Sequence, residues 1–250
     1  GYKPWNILAL TFTNKAAREM KERIAGIVGE NTAKYLMMGT FHSIFARILR
    51  MEAEAIGFNH NYTIYDDTDS RAVIKAATEE VLKPLCKTDY LFKEALKGYK
   101  PQNIAGSISL AKNRLITPEL YAANHKLRDY DNYRKMPEIH NIYRVYQQKL
   151  KENNAMDFDD LLLNTHRLLS TNEEVRLKYA GQFQFVLVDE YQDTNVVQQK
   201  IIELIVREHH RVCVVGDDAQ SIYAFRGANI DNILDFKTIF PELQTFKLEQ

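Results

Sequence analysis

The chain has 250 residues, with 33 lysines plus arginines against 33 aspartates plus glutamates, so no global field favours nucleic acid or a membrane surface and any polyanion binding must be local. Hydrophobic residues make up 45%, an ordinary share for a globular protein, and the length accommodates one or two domains. Cys86 and Cys213 are too far apart for a metal-binding pair and suit a reducing cytoplasm, and no apolar run is long enough to span a bilayer.

Residues 7–12 form a short apolar run after Pro4, which reads as a buried strand. Thr13 or Asn14 can cap the helix that follows, whose Ala17, Met20, Ile24, Ile27 and Val28 recur at helical spacing. Residues 35–40 predict a second strand and 41–55 a second helix, and this alternation points to parallel α/β architecture. Near Gly57 the character changes. From about 66 to 154 nearly everything reads as helix, punctuated at Pro84, Pro101, Pro118 and Pro137, with the clearest apolar stripe at Ile139, Ile142, Tyr143, Tyr146 and Leu150. Residues 100–151 hold ten lysines and arginines against four acids, whereas 152–203 hold ten acids against four basic residues.

The α/β pattern resumes with a helix over 157–169, for which Asp157 is a natural N-cap and Phe158, Leu161, Leu162, Thr165 and Leu168 are the stripe. A strand over 185–188, a helix over 196–207 and a strand over 211–215 follow, then a helix over 230–239 and a strand over 243–248. The expectation is an α/β domain in two pieces, 1–55 and 156–250, interrupted by an all-helical domain over 56–155. Both ends look cut, so the chain reads as an excerpt of a longer protein.

The strand over 185–188 is apolar on nearly every residue, as in a parallel sheet covered on both faces, and it delivers Asp189 and Glu190 at its C-terminal end. Ligands of open parallel sheets sit at that edge. There Asp189 suits a magnesium ligand and Glu190 a general base for an attacking water. Standing alone, such a pair is more often a solvated turn. The run Gly216-Asp217-Asp218-Ala219-Gln220 reaches the same edge if the strands are parallel, and the uncharged amide of Gln220 could sense a terminal phosphate; an ordinary turn is the alternative. Tyr223, Phe225 and Arg226 suit stacking on unpaired bases and a phosphate contact, or else the two aromatics belong to the core. Phe12, Thr13, Asn14 and Lys15 open a helix whose amides could meet phosphate oxygens, or they form a plain cap. Thr40, Phe41, His42 and Ser43 repeat that strand-to-helix geometry, although a lone histidine is more often structural.

Together these stretches resemble the UvrD/Rep/PcrA-type superfamily 1 helicases. ALTFTNKAAREMKERI is similar to motif Ia, GTFHSIFARILR to motif Ib, VLVDEYQDTN to the Walker B motif and VVGDDAQSIYAFRGA to motif III, while MDFDDLL resembles the segment re-entering the core after the insertion. The resemblance implies a RecA-like sheet of the P-loop NTPase type (domain 1A), split by a helical domain 1B. It also implies ATP hydrolysis with Mg2+, coupled to translocation on single-stranded DNA and unwinding at duplex junctions. By position, Asp189 would hold magnesium, Glu190 would activate water and Gln220 would sense the γ-phosphate. Phe12, Asn14, Thr40, His42, Tyr223, Phe225 and Arg226 would meet DNA. A bacterial cytosolic setting, a monomeric fragment and repair or replication partners follow as expectations. Ala219 and Phe225 depart from the acid and tryptophan usual at those positions, and no GxxxxGK[ST] loop occurs, so the chain alone is expected to hydrolyse ATP negligibly. A RecB/AddA-like helicase–nuclease subunit and a non-catalytic DNA-binding module are the alternatives.

Overall fold

Alternation between short β-rich runs and capped helices carries through into a computed structural model, which describes residues 1–216, 236 and 238–246. In chain order it contains β1 (Ile7–Thr11), α1 (Asn14–Val28), α2 (Glu30–Ala33), β2 (Met37–Thr40), α3 (Phe41–Glu52), β3 (Thr63–Ile64) and α4 (Asp67–Leu82). There follow α5 (Asp89–Gly98), α6 (Pro101–Asn113), α7 (Pro118–Ala123), α8 (His125–Tyr133), α9 (Ile139–Glu152) and β4 (Ala155–Met156). The last labelled elements are α10 (Phe158–Thr171), α11 (Glu173–Gln182), β5 (Phe185–Val188), α12 (Val196–Val206) and β6 (Val212–Val214). The chain forms two compact units: Gly1–Ile44 with Leu169–Gln250, and Phe45–Leu168.

In the first unit, β2, β1, β5 and β6 lie side by side in that order, and every neighbouring pair is parallel. The fold is therefore α/β with a parallel sheet, consistent with a RecA-like domain. Leu8, Leu10, Val186 and Val188 are all but completely buried, and α1 and α12 pack on these strands as crossover helices must. Thr13 caps α1 by accepting the amide of Ala16 at 3.1 Å. Asn195 caps α12 in a reciprocal box with Gln198.

The second unit is built around α4, α6, α7 and α9. The stripe read from α9 is its centre, since Ile139, Ile142, Tyr143, Tyr146 and Leu150 are all buried beside Ile74, Ala77, Ile104 and Ile108. Asp66 closes a capping box at the start of α4. Among the described residues no helix is long and apolar enough to cross a membrane.

Several expectations need correction. The second strand begins at Met37, because Glu30–Ala33 winds into a short helix and Tyr35 lies in the turn after it. The second helix ends at Glu52; residues 53–56 tighten into a 3-10 turn, and Gly57 at φ 75° supplies the left-handed exit. Two-residue strands β3 and β4 pair in parallel within the second unit, too short to leave a periodic signal. Helix α11, capped by Asn172, was not anticipated; its amphipathic pattern is weak and Arg176 is among its buried residues, held by Glu208 at 2.7 Å. Phe158 and Ile27 belong to predicted apolar stripes yet stand exposed. Residues 243–246 form no strand: the amide of Leu243 turns back to the carbonyl of Phe240, and 244–246 are exposed. Phe236 is helical and buried, and most of the predicted helix over 230–239 lies outside the described residues.

Candidate functional site

A parallel sheet sends all its strand-to-helix loops off one edge, and in the first unit that edge gathers most of the residues singled out above. Leu10 stands opposite Gly39 on one side and Val188 on the other, and Val188 stands opposite Val214. The register therefore brings Thr40 at the end of β2 and His42 just after it, Phe12 and Asn14 after β1, Asp189 and Glu190 after β5, and Gly216 after β6 to one rim. Gln220, Tyr223, Phe225 and Arg226 lie outside the described residues, as does the departure at Ala219.

The loop after β5 is the most tightly specified. The amide of Asp189 donates to Leu10 O at 3.0 Å and so prolongs the ladder by one rung. Its half-buried carboxylate accepts the amide of Glu190 through Oδ1 at 3.0 Å. Glu190 then adopts φ 52° and ψ 43°, a left-handed conformation that costs a non-glycine residue about 1–3 kcal/mol and is commonest where function requires it. Tyr191 is buried, and its amide donates to Val215 O at 2.9 Å, while the amide of Val215 reaches back to Val188 O at 2.8 Å. The loops after β5 and β6 are thereby locked to one another. Gln192, also buried, donates from Nε2 to Glu190 Oε2 at 2.6 Å. The turn closes with Thr194 Oγ1 donating to Tyr191 O at 2.6 Å, immediately before the cap of α12.

The two loops on the other side are helix caps first. Thr11 Oγ1 donates to Thr13 O at 3.1 Å, which shapes the exit from β1; Asn14 is exposed and Phe12 half-buried. Thr40 is only 8% exposed, and its hydroxyl accepts the amide of Ser43 at 3.3 Å and contacts Ser43 Oγ at 3.1 Å. It serves as the cap of α3. A Cβ on Gly39 would fall 2.7 Å from Ser43 Oγ, so glycine permits the close approach of strand and helix. Burial pushes the imidazole of His42 down to a pKa of about 4, leaving it neutral near pH 7 and able to offer a hydrogen bond without a charge.

Among the described residues no group of three or more His, Cys, Asp or Glu side chains could by itself hold a metal ion. The donor chemistry at the rim nevertheless fits magnesium, which takes hard oxygen ligands from one or two carboxylates together with phosphates and water. Sequence reading gave Gln192 no role, although it lies within the VLVDEYQDTN stretch two residues from Glu190. It also missed a polar cluster in the second unit. There Lys112, on α6, is wholly buried with Nζ 2.5 Å from Asp157 Oδ2 and 2.8 Å from Asp160 Oδ1, and Tyr146 donates to Asp157 Oδ2 at 2.7 Å.

A parallel sheet of this order, with an acidic pair at its carboxyl rim, is an α/β domain consistent with a RecA-like fold, and the sequence comparisons agree. The model of the UvrD/REP helicase N-terminal domain family matches residues 1–241, and the chain belongs to that family. It is 43% identical over 249 residues to the ATP-dependent DNA helicase PcrA of Staphylococcus aureus (strain Mu50) and to that of Staphylococcus epidermidis (strain ATCC 12228). In each case the match covers 99% of this chain and 31% of the relative, so the chain spans about a third of the length of these curated relatives.

Proposed function

We propose that this chain is part of an ATP-dependent DNA helicase that couples ATP hydrolysis to translocation on single-stranded DNA and to unwinding at duplex junctions. Residues 1–55 and 156–250 act as the nucleotide-binding domain 1A, and residues 56–155 as the helical domain 1B. The observation that carries this reading is the position of Asp189 and Glu190 at the end of β5, between the β1 loop with Phe12 and Asn14 and the β6 loop that leads to Gln220. Nucleotide chemistry and DNA contact would thus share one rim.

Asp189, a partly exposed carboxylate at the sheet edge, would hold Mg2+, which when bound neutralises charge on the phosphate oxygens. Glu190 is exposed and held by Gln192, and it acts as the base. As the oxygen of the attacking water bonds to the γ-phosphorus, the bond from that phosphorus to the bridging oxygen of ADP breaks, and the water proton passes to the Glu190 carboxylate. Gln220 reports the γ-phosphate, while Phe12, Asn14, Thr40, His42, Tyr223, Phe225 and Arg226 line the DNA path. His42, being neutral, contributes a hydrogen bond and no charge there. Thr40, whose side-chain oxygen caps α3, offers its position more than its hydroxyl. A cytoplasmic setting and partners in repair or replication go with this reading.

The test is ATP hydrolysis by a full-length protein carrying this chain, with and without single-stranded DNA. Hydrolysis should rise with DNA, and Glu190→Gln should lower kcat by about 10²–10⁴-fold while ATP still binds. Hydrolysis indifferent to DNA, or to Glu190→Gln, overturns the reading.

A further inference from the structure

We propose that Gln192 is a positioning residue for hydrolysis, holding the Glu190 carboxylate in the orientation from which it takes the water proton. The proposal rests on the assignment of Glu190 as the base. Glu190 is exposed and long, and nothing about its own exposure confines the carboxylate to one rotamer. Gln192 is its opposite, 1% exposed and carried on the single 3-10 turn Tyr191–Asp193.

That turn is fastened at several points. The amide of Tyr191 donates to Val215 O at the end of β6, and the amide of Asp193 donates to Glu190 O at 2.9 Å. Thr194 Oγ1 bonds Tyr191 O, Asn195 caps α12, and the Tyr191 ring packs edge-on against Phe236 at 5.2 Å between centroids. The left-handed backbone of Glu190 brings the carboxylate back over this anchored turn, where Gln192 Nε2 meets Oε2 at 2.6 Å.

The chemistry of the pair is specific. An ionised carboxylate only accepts hydrogen bonds, so the amide must present its nitrogen to it. A neutral donor fixes one oxygen without neutralising the base, as a lysine or arginine would. With Oε2 held, Oε1 is left for the water. A displacement of the base by about 1 Å is enough to cost on the order of 10²-fold in rate.

The experiment uses the full-length protein with Gln192→Leu and, because the site is buried, also the unbranched Gln192→Met, which keeps the side-chain length without the donor. Expected is a fall in DNA-stimulated kcat on the order of 10²-fold with KM for ATP and nucleotide affinity unchanged. In a Glu190→Gln background the same substitutions should produce no further loss, because the group they orient is already gone. Losses that multiply with that of Glu190→Gln overturn the proposal, as does a kcat unchanged in both variants. Parallel loss of nucleotide binding in both assigns Gln192 a structural role only and overturns it equally. If Glu190→Gln itself leaves kcat unchanged, the assignment of the base fails instead, and the two failures are told apart by that single variant.

Discussion

Two acid-rich segments of this chain, VDEYQD at 188–193 and MDFDD at 156–160, are alike on paper and opposite in structure. At the first, Asp189 and Glu190 stand at a sheet rim with solvent on one side. At the second, Asp157 and Asp160 are buried around Lys112, a residue 45 positions away from Asp157 in the chain. Two buried carboxylates facing one ammonium cannot both be comfortable as anions. Burial and the neighbouring Asp157 push Asp160 up to about 6, while Asp157, against the same desolvation, is held below the usual carboxylate range by Lys112 and the donors around it. An exposed carboxylate keeps its charge available for chemistry, whereas a buried one is committed to the partners that allow it to be there.

The sharpest way to break the contrast is Lys112→Met, which leaves a cluster of buried carboxylates without its cation. It should destabilise the protein by about 3–5 kcal/mol in urea or thermal unfolding. A change within the range of surface substitutions would mean that Lys112 does not hold the cluster together. Acid should separate the two regions next. His42 has a folded pKa of about 4 against 6.5 for the free side chain, so the unfolded state binds its proton first. The contribution of His42 to stability is therefore fully present above about 6.5 and lost as pH falls towards about 4. Asp160 has the reverse sign: burial and Asp157 raise its pKa, so its contribution is present at low pH and lost as pH rises, whereas Asp157 beside it, held low by Lys112, contributes in the opposite direction. Trp5, the single tryptophan, lies in the first unit. Melts followed by its fluorescence should lose acid sensitivity over the pH window 6.5 to 4 in His42→Gln, and an unchanged profile would dismiss His42 as the cause. The smallest effect is expected at the rim. Asp189→Asn keeps the acceptor for the amide of Glu190 and should leave stability within about 0.5 kcal/mol, while magnesium-dependent hydrolysis by the full-length protein falls.

Legibility in sequence followed the range of the forces involved. Caps and stripes are local, so a cap at Thr13 or Asn14, the cap at Asp157 and the α9 stripe emerge from spacing alone, and the structure gives the first cap to Thr13. Asp157 was legible as a cap, and its Oδ1 does accept the amide of Asp160 at 2.8 Å; its Oδ2, which meets Lys112, was not legible. The grip of Gln192 on Glu190 spans two residues and still went unread, because it depends on a left-handed turn at Glu190 that no glycine or asparagine announces.

By itself the sequence determined the α/β class, the family and the acidic pair at a strand end, since period, capping and motif order are written along the chain. Only the tertiary structure decided which acids face solvent and which enclose a lysine. It alone also showed that the rim loops after β5 and β6 are bonded together and that the buried amide of Gln192 bonds the exposed carboxylate of Glu190. Burial and hydrogen-bond geometry are relations between distant segments, and they exist only once the chain has folded.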